Sequence, residues 1–236
     1  MKLPKIIPYL FAIVTLVISH PSASQNIEHN AWLFWSHQQK ISEKWRFSAD
    51  VQLRSADQLD YLNTLLIRPG IGYKITDNQS ITLGYTYFGT WEKDENDKII
   101  YELENRIFEQ YQIQSKIGRI ELSNRIRYEQ RFLQEEKDHF FAQRFRYNIQ
   151  GQIPLIANTQ FTKGLYASFQ NELFLHVQGK EKLNNHVFNQ NRTYFGIGYR
   201  LSEKLDLEAD YMFRYIIEED KNVRNNVLQV AIKTSF

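Results

Sequence analysis

The chain has 236 residues, no cysteine, 14% aromatic and 24% charged residues, and 29 basic against 27 acidic side chains. Without cysteine there is no disulfide framework, no thiolate nucleophile and no Cys-based metal site. The near-neutral balance excludes a general nucleic-acid binder, which needs a basic surplus, and single all-β barrel domains commonly fill this length.

Residues 1–24 read as a secretory signal peptide. Lys2 and Lys5 form a positive n-region, Ile6 to Ser19 is an uncharged, mostly apolar run, and Ser22-Ala23-Ser24 supplies the small residues of a cleavage site before Gln25. An uncleaved anchor helix is the alternative. Removal takes two lysines from the 29 basic residues and leaves 27 against 27 acidic ones. Residues 25–236 then form one domain. After residue 24 there is no run of 18 consecutive apolar residues, so a helical membrane protein is excluded. A transmembrane β-barrel escapes that test, because only alternate residues face lipid.

Period-two alternation runs through the remaining chain. In WRFSADVQLR, Trp45, Phe47, Ala49, Val51 and Leu53 share one face, and Arg46, Ser48, Asp50, Gln52 and Arg54 share the other. The pattern recurs around Ile81–Tyr87, Ile120–Phe132, Phe141–Ile149, Leu165–Leu175, Phe195–Tyr199, Leu205–Tyr215 and Leu228–Phe236. Eleven candidate strands follow: 30–40, 45–55, 62–74, 80–91, 100–115, 119–132, 140–153, 164–177, 187–201, 204–217 and 223–236. Most exceed the ~5–6 residues usual in soluble sheets and suit a tilted membrane strand of ~9–11.

Connections alternate between short turns (42–44, 76–79, 116–118, 202–204) and longer charged loops (92–99, 133–139, 178–187, 218–223). Short periplasmic turns and long outer loops are the habit of outer-membrane barrels. Residues 154–163, opened by Pro154, are unexpectedly long for a periplasmic turn. Bacterial single-chain barrels have even strand numbers, so eleven segments imply ten or twelve strands, and twelve is preferred. The expectation is an all-β, antiparallel, up-and-down transmembrane β-barrel of about 10–12 strands. A soluble sandwich or lipocalin-like barrel, with its apolar face inward, is the alternative.

Trp32, Trp35, Trp45 and Trp91 fall near strand ends, where amphipathic rings settle at a membrane interface. Phe236 ends a strand with apolar residues at alternate positions, which is the form of an outer-membrane assembly signal. Thr234 departs from that pattern.

The segments KISEKWRFSADVQLR (40–54), ENRIFEQYQI (104–113), NRIRYEQRF (124–132), RFRYNIQGQIPL (144–155) and NRTYFGIGYRLSEKLDLEADYMFR (191–214) carry a family likeness. Over nearly the whole mature chain the sequence resembles the outer-membrane β-barrel family known as domain of unknown function 2490 (DUF2490). Its most specific parts are Glu129-Gln130-Arg131 and Asn191-Arg192. The resemblance implies an outer-membrane barrel and no established activity, so it carries over no catalytic residue.

In a barrel the polar face becomes the lumen. Arg54, Arg106, Arg125, Arg127, Arg131, Arg144, Arg146, Arg192 and Arg214 would point inward with Asp50, Glu104, Glu129, Glu172 and Asp210. The first reading is a lattice of arginine–carboxylate pairs that fills the lumen, since the planar guanidinium fork grips carboxylates bidentately. The second is a narrow anion-leaning channel, because arginines outnumber acids nine to five in this set.

A lipid hydrolase or acyltransferase is a third, lesser reading. Ser168, Glu172 and His176 share one strand face, but residues four apart on a strand are about 13 Å apart. No HExxH, GxSxG or P-loop pattern occurs. No catalytic, cofactor-binding or metal residue is therefore expected. The acidic loop 92–98 offers at most weak cation or lipopolysaccharide contact. Expected partners are outer-membrane lipid, lipopolysaccharide and the assembly machinery, with no nucleic acid, and the chain is expected to be a monomer in the bacterial outer membrane.

Overall fold

The computed structural model describes residues 26–94, 96–135, 138–219 and 222–236, so the segment read as a signal peptide lies outside the described residues. Eleven strands among the described residues form one closed barrel. They are β1 (Asn26–Lys40), β2 (Trp45–Ser55), β3 (Leu62–Lys74), β4 (Gln79–Lys93), β5 (Ile99–Ile117), β6 (Ile120–Glu135), β7 (Asp138–Ala157), β8 (Gly164–Gln178), β9 (Phe188–Ser202), β10 (Leu205–Ile217) and β11 (Asn222–Ser235). No helix among these residues is long and apolar enough to cross a membrane.

Each strand pairs antiparallel with the next. The closing pair does not: β1 and β11 run parallel, in register from Asn26↔Val223 to Gln38↔Ser235. The count is therefore eleven rather than the preferred twelve, and the antiparallel ladder is broken at one seam. An odd number of hairpin-linked strands leaves the first and last running the same way, and a parallel ladder can still satisfy both backbones. Residues 30–40 belong to the ladder, and β1 starts earlier than the sequence pattern indicated, at Asn26. Beyond the last pair, the Phe236 amide donates to the Gln38 carbonyl at 2.8 Å and its carbonyl accepts from the Lys40 amide at 2.6 Å.

The long turn expected at 154–163 is shorter, because its first four residues are strand. β7 continues to Ala157, and Pro154 sits where the β7–β8 register shifts, two residues past the last β6 partner, Gln152. A bulge beyond a neighbour's end is where a strand tolerates a residue without an N–H. A two-residue hairpin joins β5 to β6 through Gly118 and Arg119, with Gly118 at φ +60°. A two-residue hairpin turn of that kind needs a positive φ, which glycine adopts without steric cost.

The two faces of the ladder are opposite in character. Leu33, Leu53, Ile67, Ile71, Leu83, Ile107, Ile126, Phe195, Ile197, Phe213, Leu228 and Val230 stand exposed on the outer face. Arg54, Arg106, Glu129, Arg146, Glu172, Arg192 and Asp210 are buried on the inner one. That is the reverse of a soluble lipocalin-like barrel. The inner wall is not purely polar: Trp32, Tyr194, Met212 and Val227 form an apolar cluster across β1, β9, β10 and β11. Trp32 thus faces the lumen at 3% exposure, contrary to its expected interfacial position, whereas Trp35 and Trp45 are exposed outside.

A glycine makes room for one inner ring. A Cβ at Gly198 would run into the Tyr166 ring, which lies flat there and donates its hydroxyl to Glu208 at 2.7 Å.

The parallel seam is testable in a chain without native cysteine. Leu33 and Val230 are register partners on the outer face, at the roughly 4.4–6.8 Å Cα spacing a disulfide spans. Oxidised Leu33→Cys/Val230→Cys protein is expected to cross-link β1 to β11 and resist heat unfolding on gels. Failure to cross-link while Leu33→Cys/Leu53→Cys does so across the β1–β2 pair would contradict the seam.

Candidate functional site

The lumen holds the concentrated chemistry, and strand register explains how its charges meet. Glu129 and Arg144 are directly opposed across β6 and β7, as are Arg127 and Arg146, while Asp50 opposes Arg68 across β2 and β3. Inward side chains that face one another on adjacent strands lie about 5 Å apart at Cβ, so an arginine reaches its neighbour's carboxylate without distortion.

Two ion-pair groups result. In the first, Glu104 is gripped twice: Arg106 donates from Nε at 2.6 Å and Nη2 at 2.8 Å, and Arg131 from Nε at 2.5 Å and Nη2 at 3.0 Å. The second is a chain. Arg144 donates to Glu129 Oε2 at 2.9 and 2.6 Å, and Arg146 Nη1 donates to Glu129 Oε1 at 2.5 Å. Arg146 also reaches Glu172 Oε1 at 3.1 and 2.7 Å, and Arg125 meets the same oxygen at 2.7 Å. Glu129 has no exposed surface. Charge-assisted, forked hydrogen bonds of this kind are what allow a carboxylate to remain ionised out of water.

Glutamine takes the place of acid elsewhere. Gln52 Oε1 accepts from Arg54, Gln110 Oε1 from Arg127, and Gln190 Oε1 from both Arg192 at 3.2 Å and Arg214 at 2.7 Å. Guanidinium planes also lie over rings: Arg54 over Trp32 at 4.0 Å, Arg106 over Phe88 at 4.3 Å, Arg127 over Phe108 at 4.2 Å and Arg146 over Phe174 at 4.5 Å. Such stacking stabilises a desolvated cation by about 2 kcal/mol.

All fourteen lumen residues named from the sequence lie on the inner side. They do not form one lattice. Arg106, Arg131, Arg144, Arg146 and Arg125 pair with Glu104, Glu129 and Glu172, and Arg127 lies 4.0 Å from Glu129. Asp50 pairs with Arg68 at 2.8 Å, a residue the sequence reading left out. Asp210 joins no arginine and instead accepts from Ser168 at 2.6 Å and Gln229 at 3.4 Å. Arg54, Arg192 and Arg214 form no ion pair with a carboxylate among the described residues.

The reading also missed a second cluster towards the short turns. Arg200 binds Asp206 at 3.0 Å, Glu121 at 3.1 Å and Gln152 at 2.8 Å, and Lys233 pairs with Glu208 at 2.5 Å. Ser168, Glu172 and His176 go to separate partners or none. Ser168 bonds Asp210, Glu172 bonds arginines, and neither ring nitrogen of His176 has a partner among the described residues. No group of three His, Asp or Glu side chains among the described residues could hold a metal ion.

The lumen holds several cavities. A cavity of about 370 Å³ opens towards the longer loops, lined by Arg54, Arg106, Arg131, Arg192, Arg214 and His176 among others. A larger one of about 820 Å³ opens towards the short turns and is lined by Gln110, Gln112, Gln114, Ser123 and Arg200. Leu66 and Phe174 line the first, and a smaller cavity of about 100 Å³, lined by Gln52, Arg68, Arg125, Arg146, Glu172 and Arg192 among others, shares Arg68 with both.

A closed β-barrel with an apolar exterior and a charge-filled interior is the class these features define. The chain belongs to the family "Protein of unknown function (DUF2490)", whose match spans residues 29–225. It is 27% identical to an uncharacterized protein of Methylorubrum extorquens over 169 residues, 70% of this chain and 69% of that one.

The buried chain makes a quantitative prediction. Glu129→Gln leaves Arg144 and Arg146 facing each other without their shared counter-charge, so unfolding in urea is expected to come about 3–5 kcal/mol more easily. Glu43→Gln, which removes only an exposed turn partner of Lys40, is expected to leave the urea midpoint unchanged.

Proposed function

We propose that the chain is an integral outer-membrane barrel whose lumen is closed at mid-height, a structural envelope protein rather than an open diffusion pore. The observation that carries this reading is the buried Arg144–Glu129–Arg146–Glu172–Arg125 chain, in which Glu129 touches no solvent. An open aqueous pore keeps its charged lining wet, whereas these groups satisfy one another.

The outer face supports the membrane half of the reading. Exposed apolar patches on soluble monomers are rarely larger than a few hundred Å². Here exposed leucine, isoleucine, valine and phenylalanine recur on most strands around the barrel. Lipid is the solvent that makes such a face favourable, and the closed ladder meets the requirement that every backbone group be bonded within the bilayer. Aromatic pairs such as Trp45–Tyr73 and Trp91–Tyr101 at opposite ends of the strands suit the two interfaces. Outer-membrane lipid and lipopolysaccharide are the partners of that face, the assembly machinery is the reader of the strand ending in Phe236, and the barrel works as a monomer without catalysis. Residues 1–24 act as its export signal.

A narrow anion-leaning channel is the second reading, favoured by one observation. Arg68 lines both cavities, so a shift of that side chain would join them.

The tests separate the two halves of the proposal. Purified protein is expected to need detergent for solubility and to migrate faster on gels before heating than after; monodisperse protein without detergent would overturn the membrane assignment. In planar bilayers the wild-type barrel is expected to give no ohmic steps. Anion-selective steps would replace the structural reading with the channel.

A further inference from the structure

The outer cavity differs from the rest of the lumen in how its charges are compensated. Elsewhere in the lumen most guanidiniums lie within 4 Å of a carboxylate. Here Arg54, Arg192 and Arg214 are gathered round shared neutral groups. Arg192 and Arg214 are register partners on β9 and β10 and donate to the same oxygen, Gln190 Oε1, each through Nε. Arg54 and Arg192 share the Trp32 ring, with guanidinium carbons 4.0 and 5.1 Å from its centroid. Arg54 spends Nε and Nη2 on Gln52. Three cations are thus held close together, two of them buried and at most 7% exposed.

The acids nearby form no ion pair with this trio among the described residues, although Glu28 and Glu218 attract Arg214 at longer range. Glu104 is held by Arg106 and Arg131, and Glu218 and Glu219 line the cavity on the loop side of β10. Like charges at such range repel, and the desolvation of each adds to the cost. The fold nevertheless holds three guanidiniums on aromatic and glutamine supports, in excess of the carboxylates paired with them. His176 lines the same cavity, is 4% exposed, and has both ring nitrogens without a hydrogen-bond partner. It is a second, independent buried polar group at this cavity whose hydrogen-bonding capacity is unspent among the described residues.

We propose that Arg54, Arg192 and Arg214 form a binding site for a phosphoryl-bearing anion of two or more charges, entered from the loop end of the barrel. The chemistry favours phosphoryl over a single carboxylate. Planar guanidinium forks from β2 on one side and from β9 and β10 on the other line one cavity, which suits several oxygens around one centre. About 370 Å³ also exceeds what one small anion fills, so the phosphate is one part of a larger ligand. A soluble phosphorylated compound and the phosphorylated headgroup of an outer-leaflet lipid share this chemistry. The direction of approach rests on the membrane-spanning reading above, whereas the site itself does not.

Pyrophosphate alone is the probe, titrated into full-length barrel in a neutral detergent. Trp32 fluorescence reports it, because two of the three guanidiniums stack on that ring. Saturable binding is expected, weakened at least about tenfold by Arg214→Gln and further by Arg54→Gln/Arg214→Gln, as the loss of charged hydrogen bonds implies. Arg119→Gln, whose side chain bonds only backbone carbonyls at the short-turn end, is expected to bind like wild type. Loss of three-way repulsion should also leave Arg214→Gln no less heat-stable than wild type without ligand, whereas a purely structural arginine would lower that temperature. If a variant does not fold, wild type decides: binding of pyrophosphate but not of the neutral sugar maltose supports the site. No saturable binding, or undiminished binding in folded Arg54→Gln/Arg214→Gln, overturns it.

A second arm assigns the source. Displacement of pyrophosphate by diphosphorylated lipid A in mixed micelles, but not by its dephosphorylated form, supports the site and assigns the lipid headgroup; no displacement supports it with a soluble ligand. Detergent-independent protein that still binds pyrophosphate would remove the membrane reading and leave the site standing.

Discussion

Glu129 holds a carboxylate with no exposed surface at the centre of the barrel, tied on one oxygen to Arg144 and on the other to Arg146. Around that junction the lumen is organised. Arg146 continues to Glu172 and Glu172 to Arg125, so side chains from β6, β7 and β8 are drawn together across strands that the backbone ladder alone would leave free to breathe. Removing a charge from water costs several kcal/mol per ion, and only near-ideal geometry offsets it. The opposed register of Glu129 and Arg144 supplies that geometry before any side chain moves.

The same constraint accounts for what the outer face does. A closed ladder has two faces and no edges. With its inner face committed to arginine, glutamate and glutamine, the apolar half of each strand is left outside. Rings complete the interior where charge would be in excess: Trp32, Phe88, Phe108 and Phe174 lie beneath guanidiniums. They explain how so many arginines share a narrow barrel without an equal number of acids.

Much of this was legible in the sequence, because a period of two assigns each residue to a face. Wherever the inner face is consistently polar, as in Arg125, Arg127, Glu129 and Arg131, the assignment followed directly. It failed where an inner residue is apolar. β3 reads Leu65-Leu66-Ile67-Arg68-Pro69, with apolar side chains on both faces, so Arg68 passed unnoticed as the partner of Asp50. Trp32 was read as interfacial because position near a strand end says nothing about which face a tryptophan takes. The count of eleven fell inside the expected 10–12, and only the preference for an even number failed, for a different reason. Periodicity locates strands but does not say how the last one meets the first, and a rule of even numbers outweighed eleven visible segments. Which arginine meets which acid depends on register between strands, and no alternation pattern encodes that.

The proposed closure of the lumen is addressed most directly by side-resolved labelling. In a chain without cysteine, Asn189→Cys reports the outer cavity and Gln112→Cys the inner one. The barrels would be inserted in one orientation into vesicles and exposed to a charged, membrane-impermeant thiol reagent. A closed septum predicts that Asn189→Cys reacts only from the loop side and Gln112→Cys only from the short-turn side. Reaction of either cysteine from both sides would contradict it.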